Sequence, residues 1–152
     1  MPRLMSPERE REYTELHAYI DFYATNLLGI DPSKTSHPTN VGAKIIAEYG
    51  KSKALEGLKQ AANDTIESLC GKPPEYIQQL DAALKDKGII TFTEVLRRYS
   101  SSYKRILKRG EIKTETEYYI IAGIVADSTL NVSDNERSLL DHLVTRYEEK
   151  IA

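Results

Sequence analysis

Apolar residues recur at three- and four-residue spacing along almost the whole chain, the period of one face of an α-helix. Tyr13, Leu16, Ile20, Tyr23 and Leu27 form a first stripe, which predicts a helix over about 7–28. Ser6 before Pro7 supplies a capping hydroxyl with proline at the first helical position, and Glu8 and Glu10 suit the positive end of the helix dipole. Gly29 and Asp31-Pro32 stop this helix, and the proline- and serine-containing stretch 31–39 reads as the longest loop. Helical spacing resumes over about 40–70, with Val41, Ile45 and Tyr49 before a break at Gly50. Leu55, Leu58, Ala62, Ile66 and Leu69 follow it, with Ser52 as the expected cap. Gly71-Lys72-Pro73-Pro74 is a clear interruption, and Tyr76, Ile77, Leu80 and Leu84 predict a helix over 74–87 that ends at Gly88.

The second half is marked by three capping-box patterns, Thr91 with Glu94, Thr114 with Glu117, and Ser133 with Glu136. In each, the hydroxyl can accept from the third helical amide while the glutamate reaches back to the cap amide. Ile90 and Val95 occupy the positions of a hydrophobic staple. Helices are therefore predicted over 92–109, 115–127 and 134–151. Their apolar stripes run through Val95, Leu96, Tyr99, Tyr103, Ile106 and Leu107, then Tyr118, Ile121 and Val125, then Leu139, Leu140, Leu143, Val144 and Tyr147. Strand signals are confined to the pair Ile89-Ile90. The cap spacings differ from one another and match no helical repeat. Short links make neighbouring helices antiparallel. The expected fold is all-α, a single domain of residues 1–152 forming a bundle of six or seven helices.

Composition agrees with that picture. A chain of 152 residues, 40% hydrophobic and 29% charged, has the balance of a globular domain. No apolar run approaches the roughly 20 residues a membrane helix requires. The start, Met1 through Pro7, lacks the apolar stretch of a signal peptide and leads straight into charged residues, so the cytoplasm is the expected compartment. The lone Cys70 has no internal disulfide partner, and the chain contains no CxxC or Cys/His spacing suited to zinc. Ten tyrosines without a tryptophan favour rings with a wet polar tip, suited to partly buried surfaces or interfaces.

Charge changes the picture more. The window Arg97–Lys113 holds seven basic residues and one acidic residue, a balance of +6. From Thr114 to Ala152 there are eight carboxylates and three basic residues, a balance of −5, although the whole chain is only −2. Arg97, Arg98, Lys104, Arg105, Lys108 and Arg109 around Tyr99 and Tyr103 are the candidate phosphate- or partner-binding set. The alternative is that these cations serve the helix C-terminus and nearby acidic helices, with the tyrosines in the core. Asp134, Glu136, Asp141, Glu148 and Glu149 form a candidate acidic interaction face, against the simpler reading of a solvated helix surface.

A helix-turn-helix reading places recognition at Thr114-Glu115-Thr116-Glu117, where two glutamates would repel phosphate, which argues against sequence-specific DNA reading. His17, His37 and His142 have no metal-ligand spacing, so no metal or cofactor is expected. Ser100, Ser101 and Ser102 beside arginines are possible phosphoacceptors, or simply a polar stretch of modest helix propensity. No phosphate loop or nucleophile elbow is present. The expectation is a non-enzymatic intracellular protein-interaction module, of an inhibitor or immunity type or a small adaptor, with an unidentified protein partner. The alternative is nucleic-acid binding through helix 97–109. Opposite charge on two helices also makes a homodimer an expectation.

Overall fold

A computed structural model describes residues 5–152, so the expectation placed on Met1–Leu4 lies outside the described residues. These residues form an all-helical bundle without strands: α1 Pro7–Phe22, continued by a π-helical turn Tyr23–Leu27, α2 Pro38–Tyr49, α3 Lys51–Leu69, α4 Pro74–Asp86, α5 Phe92–Tyr99, α6 Ser101–Arg109, α7 Glu115–Ala126 and α8 Asp134–Ile151. Ile89-Ile90, the only strand signal, is instead a link between α4 and α5, half-buried against the core.

Several boundaries differ from the expected ones for local reasons. The hydroxyl of Ser6 caps α1 through the Arg9 amide. His37, the last residue of the loop, caps α2: its Nδ1 accepts from the Thr39 amide at 3.2 Å, so the helix begins two residues earlier than the apolar pattern implies. Gly50, at φ 93°, rather than Ser52, starts α3; this left-handed region is open to glycine at no steric cost and lets α2 and α3 meet with one residue between them.

The largest departure lies in 92–109, which is two helices. Ser100 has ψ 121°, outside the helical range; its amide closes α5 on the Leu96 carbonyl, and its hydroxyl accepts from the Tyr103 amide at 3.1 Å to open α6. Serine competes for backbone partners in this way more readily than it continues a helix. The break turns Tyr99 and Tyr103, expected on one stripe, toward different neighbours. Tyr99 donates its hydroxyl to Glu12 of α1 and Tyr103 to Glu136 of α8.

α5 lies at the centre. Phe92, Thr93, Glu94, Val95 and Leu96 are all buried, so the first half of the helix is covered on every side, and α5 packs against α3, α4 and α7. On one flank α3 packs on α1 and α2, and on the other α7 packs on α6 and α8. One continuous core joins the flanks through Leu16, Leu55, Val95, Ile106, Ile121 and Leu140. Polar groups inside it are partnered: Tyr19 bonds the Thr65 hydroxyl at 2.8 Å, and Asp81 of α4 accepts from the Thr93 amide at 3.3 Å and from the Thr93 hydroxyl. Burial raises the Asp81 pKa, and the bonds from Thr93 and Phe92 offset only part of that. α2 is the peripheral member, with no buried residue.

Candidate interaction surfaces

The fold divides the six basic candidates into two sets. Glu94, carried on α5 and buried, accepts from Arg97 Nε at 2.9 Å, Arg97 Nη2 at 2.8 Å and Arg98 Nε at 2.8 Å. Burial opposes its ionisation, but the two guanidiniums outweigh it and hold the Glu94 pKa below the usual glutamate value. Arg97 also approaches Glu136 of α8 at 3.7 Å, and Arg98 reaches Glu15 of α1 at 3.3 Å. Arg109 bonds the Glu111 carbonyl and the Glu117 carboxylate. These three arginines therefore join helices. Lys104, Arg105 and Lys108 remain exposed on α6, and among the described residues no carboxylate lies within ion-pair distance of them. At 100° per residue they share one side of α6 with exposed Ser101, whereas Ser100 is buried as the cap.

The acidic set divides likewise. Glu136 is half-buried between Tyr103 and Arg97, so it belongs to the α6–α8 contact. Asp134, Asp141, Glu148 and Glu149 are exposed. Glu148 accepts the Tyr118 hydroxyl at 2.7 Å.

That last bond belongs to a cluster in which Tyr118 and Tyr147 come from two separate apolar stripes of the sequence and Tyr119 from neither. Tyr118 of α7 stacks on Tyr147 of α8, ring centroids 5.2 Å apart and planes inclined by 26°, and Tyr119 tilts against Tyr118 at 5.8 Å. Tyr119 is 45% exposed and donates its hydroxyl to Glu115 at 2.7 Å. The glutamate bonds are the main cause of raised pKa values at Tyr118 and Tyr119, keeping both phenols protonated as donors. Tyr147 also walls a cleft of about 250 Å³ whose floor includes Ile112 and Leu143 and whose rim carries Glu111, Arg146, Glu149 and Lys150. Two bonded carboxylates thus hold a group of rings in place at the surface. The sequence signal was the Tyr118-Tyr119 doublet: two adjacent rings cannot both face the core of one helix.

No family model, curated protein or solved structure matches this chain. His37 is fully buried, its Nε2 2.9 Å from the Thr25 hydroxyl and 3.5 Å from Asp21. His17 stacks on Tyr13, and His142 is exposed on α8. Among the described residues no group of three or more His, Cys, Asp or Glu side chains is arranged to hold a metal ion. Burial pushes the Cys70 thiol pKa up, away from the reactive thiolate. No helix among the described residues is long and apolar enough to cross a membrane.

Proposed function

We propose that this chain is a non-enzymatic protein-interaction module of the cytoplasm, an inhibitor of immunity type or an adaptor, and that the tyrosine face of α7 and α8 is its contact surface. The observation carrying this reading is the cluster of Tyr118, Tyr119 and Tyr147 at the surface, with two hydroxyls bonded to Glu148 and Glu115. Tyrosine gives a large contact area with few rotamers to freeze, and rings already held by neighbours lose less freedom when a partner arrives. The test is affinity capture from host lysate near physiological salt, with and without nuclease, using the chain and its Tyr119→Ala and Tyr147→Ala variants. A defined protein that survives nuclease and is lost about tenfold or more with these variants is the expected result. Recovery of the same proteins with all three chains overturns the assignment of this face.

A second reading is favoured by the three unpaired cations of α6, Lys104, Arg105 and Lys108, as a phosphate-contacting surface. Three phosphate contacts give a log–log salt slope of only about −2 to −3, against about −4 to −5 for all six basic candidates. Weak nucleic-acid binding with that shallow salt slope, lost on Lys104→Glu with Arg105→Glu, would favour it over the tyrosine face.

A further inference from the structure

We infer that the tyrosine face receives an arginine-rich segment of a protein partner, an inference that rests on the interaction reading above. Three features of the face converge on this chemistry. Tyr119 is exposed and lies 5.8 Å from the half-buried Tyr118, which stacks on the half-buried Tyr147 at 5.2 Å, and the negative face of an aromatic ring attracts a cation. Glu115 and Glu148 flank those rings, each accepting a phenol hydroxyl at 2.7 Å. Among the described residues neither has a basic partner, whereas the carboxylates used between helices, Glu10, Glu12, Glu15, Glu117 and Glu136, each face a lysine or arginine. A phenol satisfies one lone pair of a carboxylate but leaves its charge uncompensated.

The third feature is extent. Asp141 is exposed and lies two helical turns before Glu148, on the same side of α8, so the negative charge continues for about 10 Å along the helix. One cation cannot answer charges that far apart; a segment with spaced cations can. Guanidinium suits the site better than ammonium, because its plane stacks on a ring while its fork meets a carboxylate. A nucleic acid would be repelled by the same carboxylates, and an apolar segment would strip water from Glu115 and Glu148 without replacing it.

The experiment uses the full chain and two short peptides, one alternating arginine with glycine and one alternating lysine with glycine, followed by the ring resonances of Tyr118, Tyr119 and Tyr147. The arginine peptide is expected to shift these resonances and to bind about threefold or more tighter than the lysine peptide. Tyr119→Leu, at an exposed position and without change of charge, is expected to abolish that preference. Glu115→Gln with Glu148→Gln is expected to weaken both peptides, while Asp134→Asn leaves them unchanged. Equal binding of the two peptides regardless of Tyr119, or no binding at low salt, overturns the inference. A captured protein that depends on Tyr119 but tolerates Glu115→Gln with Glu148→Gln overturns the arginine chemistry while leaving the interaction reading in place. Capture indifferent to both sets of changes overturns the two together. Concentration-dependent self-association lost on Lys104→Glu with Arg105→Glu would instead assign the face to a second copy of this chain, and would equally overturn the inference.

Discussion

Arg97 grips Glu94 with two parallel N–H donors, at 2.9 and 2.8 Å, one turn along the same helix. Because Glu94 lies in the buried first half of α5, little water can reach this carboxylate, and Arg98 completes its coordination. The most basic stretch of the chain is thus organised around an acid at its own centre.

Glu94→Gln is therefore expected to destabilise the fold by about 2 kcal/mol, since it leaves the half-buried Arg97 guanidinium, and the more exposed Arg98, short of acceptors. The acid limb should change as well. A carboxylate whose folded pKa is depressed contributes stability above its unfolded pKa of about 4.3 and loses it as pH falls through the folded value. Urea denaturation between neutral pH and about pH 3 should show a shallower acid decline for Glu94→Gln than for the parent chain. An equal decline would show that Glu94 carries no such linkage.

Asp81 has the opposite sign. Its pKa is raised by burial, so its ionised form is disfavoured in the folded state, and protonation as pH falls adds stability relative to the unfolded chain. Asp81→Asn is expected to lose that gain, so its stability relative to the parent should worsen on acidification. Parallel urea titrations of the two proteins from neutral pH downward measure it.

Ser100→Ala removes the hydroxyl that accepts the Tyr103 amide in a buried position. A loss of about 1–2 kcal/mol is expected, the usual cost of an N-cap. Faster hydrogen exchange should be concentrated in the first turn of α6. Uniformly faster exchange through α5 and α6 would indicate that the two behave as one helix.

The division of the basic set gives a contrast at constant chemistry. Lys104→Glu and Arg105→Glu, at exposed unpaired sites, should shift stability by no more than about 0.5 kcal/mol. Arg97→Glu places a second acid beside Glu94 and Glu136 and should cost several times as much. Thermal melts of the three variants are the check, and similar melting temperatures would refute the division.

His37→Ala removes the buried imidazole that caps α2 and meets Thr25 and Thr39. As α2 itself contributes no buried residue, proteolysis between α1 and α2 should accelerate well before the core opens. Limited proteolysis at neutral pH, with cleavage sites mapped, tests this.

Local signals carried most of the fold. Ser6, Thr91, Thr114 and Ser133 each cap a helix through the expected third amide, because a cap is decided within four residues. The glutamate halves of the boxes were not legible. Instead of cap amides, Glu94 binds Arg97 and Arg98, Glu136 binds Tyr103, and Glu117 binds the Lys113 amide and Arg109. Tertiary cations and phenols outcompete a local amide, and a single sequence does not say which will arrive. The same limit hid the tyrosine face: Tyr118 and Tyr147 are 29 residues apart and meet only because α7 and α8 are antiparallel neighbours.

The position of α5 also governs how the molecule comes apart. Since α3 and α4 lean on it from one side and α7 from the other, neither flank can melt and leave the other an intact hydrophobic surface. Heating should therefore give one calorimetric transition with matching van't Hoff and measured enthalpies. Cutting the chain at the exposed Gly88 turn should yield two pieces that are each unfolded alone and that recover helicity when mixed.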